Sequence, residues 1–546
     1  MPKKTPAWVL PLALLFLLVF TAYWPALHGA FMWDDDRYPG NPLLAEVGGL
    51  ARVWLPGQTV QYYPLTFTSF WLERRLWGLE PFGFHVVNVI LHCVNAALAG
   101  LCLQRLGLRG AWLAAALFGV HPVHAESVAW LSERKNLLSG FFYLSAFASF
   151  LKFEDDGERR WYYATVGLFV LALLSKTTAC TLPAGLLIAR WGRGKTMDER
   201  ILKAVLPLFA LAALGGAMTA AVEKSVVGAT SPDLHLSLLQ KALLASRAPF
   251  FYAAKLLWPA RLSFSYERWV LDPQAISAWL WPAAAALVAG LSWFLGRRWS
   301  AAIPAALAFF VVTLTPALGF VSVYTFRFSF VADHYQYLAS LGPSALIAET
   351  LWRARWRWTA GLVLITLLPL TRGRAELYRA PENVWSNAAA NAPRSALAHV
   401  NLGVYLRGRG LEDESIKHFR EAIRLKPDFE DAYDNLGMAL LHAGRNSEAA
   451  LNFERALAIQ PNHVSAHRNI GNLLLSRRQY ARAERHFVAV IRLRPADAPA
   501  YNNLGVALGA RGRTEDAANC FREALRLRPG YDSAQENLRL ALLKVK

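Results

Sequence analysis

The chain has 546 residues, of which 55% are hydrophobic, and its 58 Lys and Arg against 39 Asp and Glu give a net charge of +19. This composition, with its positive mean hydropathy, excludes an ordinary soluble enzyme and a fibre and predicts a multipass membrane protein. Many of the basic residues lie in short clusters between apolar runs, where they set membrane topology, and no nucleic-acid-binding motif occurs, so we expect no nucleic-acid partner.

Apolar runs that are candidates for membrane helices extend from the amino terminus to about residue 371. Lys3 and Lys4 precede the first run, which lacks a small-residue cleavage site and is therefore predicted to be a retained span rather than a signal peptide. We predict eleven spans, at residues 8–27, 83–104, 111–127, 137–151, 161–176, 178–190, 204–222, 274–296, 301–320, 337–352 and 358–371.

An odd number of spans fixes the predicted topology. With Lys3 and Lys4 inside, the positive-inside rule places four later basic clusters on the cytoplasmic side: Arg105/Arg109, residues 190–203, Arg297/Arg298 and Arg353/Arg355/Arg357. We treat residues 240–268 as an interfacial or re-entrant segment on the outer face, because counting them as a span would place Arg297 and Arg298 outside. The loop 28–82 and everything after residue 372 are then external.

The carboxyl-terminal part repeats every 34 residues. Asn-Leu/Ile-Gly triplets begin at Asn401, Asn435, Asn469 and Asn503, and Phe419, Phe453, Phe487 and Phe521 recur with the same spacing. This is the tetratricopeptide period, in which pairs of antiparallel helices stack into a solenoid. We predict a junction and half repeat at 373–394, which contains Trp385 and Ala388, four full repeats at 395–530 and a capping helix at 531–546.

The first external loop begins with an acidic run, Asp34-Asp35-Asp36, which follows Trp33. Adjacent carboxylates repel one another, and near a membrane surface one of them can have a raised pKa and serve as a base. The alternative is a solvated acidic turn. The run alone does not decide between the two.

A second candidate group lies in the segment His121-Pro122-Val123-His124-Ala125-Glu126 and continues to Arg134 and Lys135. His121, His124 and Glu126 are candidate metal ligands, although Pro122 disturbs the helical spacing that would place both imidazoles on one face. Arg134 and Lys135 stand on the outer side against the charge rule, where a cation is well placed to hold a lipid phosphate.

Ionisable groups beside later spans are further candidates, because such groups are costly to keep near a membrane interior. Lys176 ends an apolar run, and Arg327, Asp333 and His334 lie in one late external segment. The alternative for each is a snorkelling cation or a structural ion pair.

The order of these motifs resembles one known family. An aromatic-flanked Asp-Asp pair after the first span, the HPVHAESVAW segment (121–130), the ADHYQYLAS segment (332–340) and repeats after the last span together resemble the transmembrane-and-tetratricopeptide-repeat O-mannosyltransferases. These are C-type integral-membrane glycosyltransferases, and the resemblance covers nearly the whole chain. It implies an all-α fold, with a polytopic membrane domain at 1–372 followed by the repeat solenoid.

The resemblance also implies an enzyme that transfers a sugar, usually mannose, from a polyprenyl-phosphate donor to a protein Ser or Thr hydroxyl on the external face. Asp34 and Asp35 match the acidic pair of the relatives, with Asp34 as the leading candidate for the base. The predicted phosphate-binding cations are Arg134, Lys135, Lys176, Arg327 and His334, and the further site candidates are His121, His124, Glu126 and Asp333. We expect no resident metal, although the family resemblance alone leaves metal dependence open.

One departure from the animal relatives is His334, where we would expect Arg; a neutral imidazole is a poorer phosphate ligand, so Arg327 would take over that role. The Ala- and Arg-rich composition suggests a bacterial homologue in the plasma membrane, with the repeats binding the acceptor protein or a partner. The alternative function is a non-catalytic membrane-anchored scaffold for an envelope or polysaccharide-export assembly. A transporter is less favoured, because no symmetric pair of broken helices is visible.

Overall fold

The protein is described by a computed structural model at residues 9–222, 235–321 and 323–545. In these ranges the regular structure consists of helices and no strand occurs, so the all-α prediction is confirmed for them. The chain divides into two compact units, 1–392 and 393–546. Lys3 and Lys4, on which the predicted topology depends, lie outside the described residues.

Helices of very different length build the first unit. They are α1 Val9–Tyr23, α2 Gly49–Val53, α3 Pro64–Trp77, α4 Pro81–Arg105, α5 Ala111–Gly119, α6 Ala125–Ala129, α7 Arg134–Asp156, α8 Arg159–Ser175, α9 Leu182–Gly192, α10 Glu199–Val222, α11 Leu238–Leu257, α12 Leu280–Arg298, α13 Ala302–Leu314, α14 Leu341–Arg353, α15 Arg357–Glu376 and α16 Pro381–Asn391.

Within the described ranges, four helical segments are long and apolar enough to cross a membrane: Val9–His28, Pro81–Arg105, Glu199–Val222 and Ile276–Arg298. The predicted count of eleven spans is therefore not confirmed. The segment Ile276–Arg298 exposes most of its apolar surface, with Leu287 at 72% and Phe294 at 63%. Such exposed apolar faces are typical of lipid contact, and the chain is a membrane protein.

The predicted span at 111–127 is not one continuous helix, because α5 already ends at Gly119. The cause is Pro122, which forces the preceding His121 into an extended conformation (φ −78°, ψ 130°). Short elements follow: a 3-10 turn at Pro122–His124, helix α6 and a second 3-10 turn at Leu131–Glu133. These short elements keep several of the predicted site residues close together. A regular helix would have spaced the same residues out along the membrane.

The predicted external loop 28–82 is largely folded. Besides α2 and α3, it contains 3-10 turns at Asp35–Arg37 and Pro42–Ala45. This region has a core of buried apolar side chains, to which Phe84 and Leu131 contribute from outside the loop: Tyr38, Leu44, Val53, Phe67, Phe70, Phe84 and Leu131. The acidic run thus sits on a rigid base rather than on a free loop.

The segment 240–268, predicted to be interfacial or re-entrant, mostly forms α11, a regular helix of 20 residues. Its start is fixed by a capping box, in which the Ser237 side chain accepts from the Gln240 backbone N–H and the Gln240 side chain accepts from the Ser237 backbone N–H.

Helix pairs build the second unit: α17 Ala396–Gly408, α18 Glu412–Leu425, α19 Glu430–His442, α20 Asn446–Ile459, α21 Val464–Ser476, α22 Tyr480–Leu493, α23 Ala498–Ala510, α24 Thr514–Leu527 and α25 Asp532–Val545. The recurring triplet has a packing reason. A Cβ atom on Gly437 would lie 2.6 Å from the Phe453 ring, and the same clash recurs for Gly403, Gly471 and Gly505 with the phenylalanine of their own repeat. Glycine is required because the phenylalanine ring occupies the space of its side chain.

The predicted half repeat is helix α16, whose Trp385 and Ala388 are buried as in a full repeat. It belongs to the first compact unit, whose boundary falls at residue 392. At the other end, α25 packs on α24; its role as a capping helix stays a prediction.

Candidate active site

Asp35 anchors the acidic run to the rest of the first unit. Its Oδ2 accepts the backbone N–H of Met32 at 2.9 Å, and its Oδ1 accepts the backbone N–H and the hydroxyl of Ser132 at 2.8 and 2.5 Å. The side chain is 1% exposed. Burial, together with the neighbouring Asp34, raises the pKa of Asp35 to about 7. Both carboxylate oxygens are committed to protein donors, so Asp35 acts as a structural support.

Asp34 is the available carboxylate of the run. It is half-buried, and its Oδ1 has no hydrogen-bond partner among the described residues. Burial raises the pKa of Asp34, while Lys135 and Ser132 partly oppose that shift. A carboxylate with one unpaired oxygen and a raised pKa is better suited to accept a proton than an ordinary exposed aspartate. Asp36, by contrast, is exposed to solvent.

A buried charge cluster brings together three of the predicted cations around one carboxylate that sequence reasoning had not assigned. Glu133 Oε1 lies 3.0 Å from Lys135 Nζ and 3.9 Å from His334 Nε2, and its Oε2 accepts from Lys176 Nζ at 3.1 Å. Burial alone would raise the pKa of Glu133, but His334, Lys135 and Lys176 together hold it well below its ordinary value. We call Glu133, Lys135, Lys176 and His334 the charge cluster.

The charge cluster is linked to the acidic run through Lys135. Its Nζ also donates to the Tyr38 hydroxyl at 3.3 Å and lies 4.6 Å from the centre of the Tyr38 ring. Lys135 is also one of the charges that lower the pKa of Asp34. The Asp34 carboxylate and the charge cluster therefore influence each other electrostatically.

Glu126 and Asp333 extend the cluster on the side of His334. Glu126 Oε1 lies 2.6 Å from His334 Nδ1, and Asp333 Oδ1 accepts from the Tyr266 hydroxyl at 2.8 Å. Burial, then Glu126, raises the pKa of Asp333 to about 7. The second oxygens of both carboxylates, Glu126 Oε2 and Asp333 Oδ2, have no hydrogen-bond partner among the described residues.

Arg134 has a different environment from its neighbour Lys135, although both were predicted to bind phosphate. Its guanidinium is fully buried and donates to both oxygens of Glu73, to Asn88 Oδ1, to the Phe84 carbonyl and to Ser69 Oγ. These contacts use all five of its N–H groups. No donor is left for a phosphate, so the structure gives Arg134 a packing role between α3, α4 and α7.

Arg327 occupies the 3-10 turn Tyr324–Arg327, where its guanidinium lies 5.8 Å from the Tyr324 ring and 5.7 Å from the Phe328 ring. It is half-buried. Nothing in these contacts brings it to the charge cluster, so its predicted substitution for the missing Arg at position 334 stays a prediction.

His121 and His124 are engaged in separate contacts. His121 Nε2 donates to the Leu256 carbonyl at 2.9 Å, whereas His124 Nε2 lies 3.2 Å from the Ser340 hydroxyl. Within residues 9–222, 235–321 and 323–545, no three His, Cys, Asp or Glu side chains are arranged to hold a metal ion. In this arrangement the two imidazoles tie their segment to neighbouring elements.

Sequence reasoning missed an aromatic wall beside Asp34. Trp33 stacks on Trp130 with ring centres 5.5 Å apart, and Phe264 packs against both, at 5.4 Å from Trp33 and 4.9 Å from Trp130. Trp385 lies 4.9 Å from Phe264 and 6.0 Å from Trp33. We call these four residues the aromatic wall.

Trp33 adopts a backbone conformation in the left-handed region, with φ +47°, which bulky side chains rarely occupy. Its ring contacts on the wall hold it there, and such strain is common at functional sites. Of the four wall residues, only Trp33 was visible as an aromatic next to the acidic run. The other three come from distant segments; Trp130 ends the HPVHAESVAW segment and Trp385 lies in the predicted half repeat, but neither position indicated a place in the site.

The fold and the sequence matches define the class first: a membrane protein that carries tetratricopeptide repeats. Family profiles described as tetratricopeptide repeat match residues 371–430 and 468–532, and residues 430–463. Among solved structures, a MamA double mutant covers 28% of this chain and 85% of its own at 26% identity, with a TM-score of 0.27. That score is too low to support an argument about the fold.

The similar proteins of known name indicate a narrower group than the repeat profiles do. A protein O-mannosyl-transferase of Caenorhabditis elegans is 26% identical over 453 residues, which are 77% of this chain and 63% of the relative. Protein O-mannosyl-transferases TMTC4 and TMTC1 of Homo sapiens are 29% and 26% identical, covering 72% and 74% of this chain and 63% and 54% of their own. The predicted resemblance to these transferases is confirmed. The chain spans less than two thirds of each of these relatives.

Proposed function

We propose that this protein is a membrane glycosyltransferase that transfers a mannose-like sugar from a polyprenyl-phosphate donor to a Ser or Thr hydroxyl of an acceptor protein. The observation that carries the proposal is the position of Asp34, whose Oδ1 has no hydrogen-bond partner among the described residues and whose pKa is lowered by Lys135, a member of the charge cluster. A glycosyl transfer from a lipid phosphate needs one base and cations that stabilise the leaving phosphate. The similarity to protein O-mannosyl-transferases supports the same reaction.

In the proposed mechanism Asp34 accepts the proton of the acceptor hydroxyl. The hydroxyl oxygen attacks the anomeric carbon of the sugar as the bond from that carbon to the phosphate oxygen breaks. The electron pair leaves with the polyprenyl phosphate, so the product has the inverted configuration. Asp35 holds the backbone of the acidic run in place through its contacts with Met32 and Ser132.

Lys135, Lys176 and His334 are the proposed ligands of the donor phosphate. Glu133 holds the two ammonium groups at 3.0 and 3.1 Å from its oxygens, which fixes their positions before the substrate binds. A preorganised cation stabilises developing negative charge without a reorganisation cost during the reaction. The lipid-linked sugar acts as a co-substrate, and the scheme includes no resident cofactor.

The repeats at 393–546 are the proposed binding element for the acceptor protein or a partner, because stacked helix pairs form extended surfaces that commonly bind peptides and proteins. We further propose that the acidic run and the repeats face the external side of a bacterial plasma membrane, where a lipid-borne donor and a secreted acceptor can meet. Reporter fusions after residues 60 and 546 test this: the same external orientation is expected for both, and opposite orientations would contradict it.

The direct test is transfer by the purified full-length protein in detergent. We expect labelled mannose to move from a polyprenyl-phosphate mannose to protein in an envelope extract, with mass spectrometry locating it on Ser or Thr. A water-soluble sugar nucleotide should not replace the lipid donor. Efficient transfer from the nucleotide sugar, or no transfer from any polyprenyl-phosphate sugar offered, would contradict the proposal.

The second candidate is a membrane-anchored scaffold, which is favoured by the separate compactness of the repeat unit. It predicts that the full-length protein captures an envelope partner through its repeats while transferring no sugar. The two candidates differ most in what they require of Asp34, which a scaffold would not need.

A further inference from the structure

Trp130 carries a buried hydrogen-bond donor that the fold does not use. Its side chain is 3% exposed, and its indole Nε1 has no acceptor among the residues that the structure describes. A buried N–H without a partner typically costs about 1–3 kcal/mol, and the indole N–H groups of Trp71, Trp77 and Trp161 share this state among the described residues. Of these four tryptophans, Trp130 is the one that lies beside members of the charge cluster.

The surroundings of Trp130 indicate which kind of acceptor would pair with its indole N–H. Lys135 Nζ lies 5.5 Å from the centre of the Trp130 ring, and the His334 ring centre lies 5.8 Å from it. Both are members of the charge cluster, so the indole lies beside the proposed phosphate ligands. A phosphate oxygen accepts several hydrogen bonds at once, and a neutral N–H adds to the binding of the anion without needing a counter-charge.

We infer that Trp130 is a binding residue for the lipid-phosphate head group, donating its indole N–H to a phosphate oxygen held by Lys135 and His334. This inference rests on the proposed function. Trp33 covers one face of Trp130 and is the most exposed member of the aromatic wall, at 36%.

A matched control exists in Trp77. Its indole Nε1 is likewise buried without a partner among the described residues, but its ring packs on Phe84, in the core under the first loop. Trp→Phe removes the N–H and part of the ring in both cases. If the unpaired donor were only a packing imperfection, Trp130→Phe and Trp77→Phe would have the same effects: a small loss of thermal stability from the smaller ring, and unchanged ligand binding.

The test measures binding of farnesyl phosphate, a bare short-chain polyprenyl phosphate, and of its mannosyl ester to the full-length protein in detergent. We expect Trp130→Phe to weaken binding of both ligands by about 10- to 100-fold, as for loss of a hydrogen bond to a charged group. Its thermal unfolding temperature should fall by no more than that of Trp77→Phe, because both changes remove the same part of a tryptophan ring. Trp77→Phe should bind both ligands like the wild type.

Three outcomes would overturn the inference: Trp130→Phe binding both ligands like the wild type, Trp130→Phe weakening the mannosyl ester alone, or equal losses in Trp130→Phe and Trp77→Phe. The second would assign the N–H to a sugar oxygen. Failure of the proposed function looks different, because the wild-type protein itself would then bind neither ligand.

Discussion

We assign Arg134 to packing and the adjacent Lys135 to binding of the donor phosphate. The buried ion pair between Arg134 and Glu73 allows the most quantitative test of this assignment. Arg134 donates to both oxygens of Glu73, and the two side chains are 0% and 6% exposed. Removing one member of a buried ion pair leaves an uncompensated charge and typically costs about 3–5 kcal/mol. We therefore expect Arg134→Met and Glu73→Leu each to destabilise the protein by about that amount.

The double variant should be much less destabilised than the sum of the two single variants, since replacing a whole buried pair by apolar side chains is often nearly neutral. Because Arg134 also donates to Asn88 and Phe84, a residual loss of about 1–3 kcal/mol should remain. The double-mutant cycle should thus give a coupling energy of about 3 kcal/mol or more.

The assay is equilibrium unfolding in mixed detergent and dodecyl sulfate micelles, combined with farnesyl phosphate binding to the folded double variant. Binding should be retained, because Arg134 has no donor free for phosphate. Single variants that unfold like the wild type while phosphate binding disappears would refute the assignment and return Arg134 to the donor site.

Two further predictions concern the acidic run and the repeats. Because burial raises the pKa of Asp35 to about 7, the folded protein keeps a proton that the unfolded chain releases near pH 4. This contribution to stability is complete below about pH 4 and is lost as the pH rises through 7, by about 4 kcal/mol in all. The free energy of unfolding, measured against pH, should show this loss in the wild type and lack it in Asp35→Asn. Equal pH slopes of the unfolding free energy in the two proteins would contradict the assignment. In the repeats, Gly437→Ala would place a Cβ 2.6 Å from Phe453 and should cost about 1–3 kcal/mol. Gly408→Ala, which meets no atom within 4 Å, should melt like the wild type, and similar melting temperatures for both alanine variants would contradict the packing account.

The repeat solenoid was largely predictable because its information is local and periodic. A 34-residue spacing of Asn-Leu/Ile-Gly and Phe fixes helix pairs without knowledge of distant contacts. The structure adds the reason for the triplet, since Gly437 must leave room for Phe453. The membrane part was less predictable. Hydropathy alone merged α5 with the segment after Pro122, although a proline there ends the helix.

In the candidate site, the sequence indicated the residue types but not the separate role of each residue. Asp34 and Asp35 are neighbours in the chain, yet Asp34 has an oxygen without a partner among the described residues, whereas Asp35 accepts three hydrogen bonds. Arg134 and Lys135 likewise begin the same helix and point to different partners, because successive helical residues face directions about 100° apart. Such differences depend on tertiary contacts that no local pattern encodes.

Glu133 and Trp130 were not assigned for a related reason. Each becomes important only through groups brought in from distant segments, such as Lys176 and His334 for Glu133. Their one sequence signal was position, since both lie within or just after the HPVHAESVAW segment, residues 121–130.

The most direct test of the account compares Asp34→Asn with Asp36→Asn in mannose transfer from a polyprenyl-phosphate mannose by the full-length protein. Asp36 is exposed and differs from Asp34 by two positions in the same turn, so it controls for loss of an acidic side chain. Loss of a general base typically costs about 10²- to 10⁴-fold in rate. We predict such a loss for Asp34→Asn, with unchanged farnesyl phosphate binding, and near wild-type transfer for Asp36→Asn. Transfer by Asp34→Asn at the rate of Asp36→Asn would contradict the assignment of Asp34 as the base.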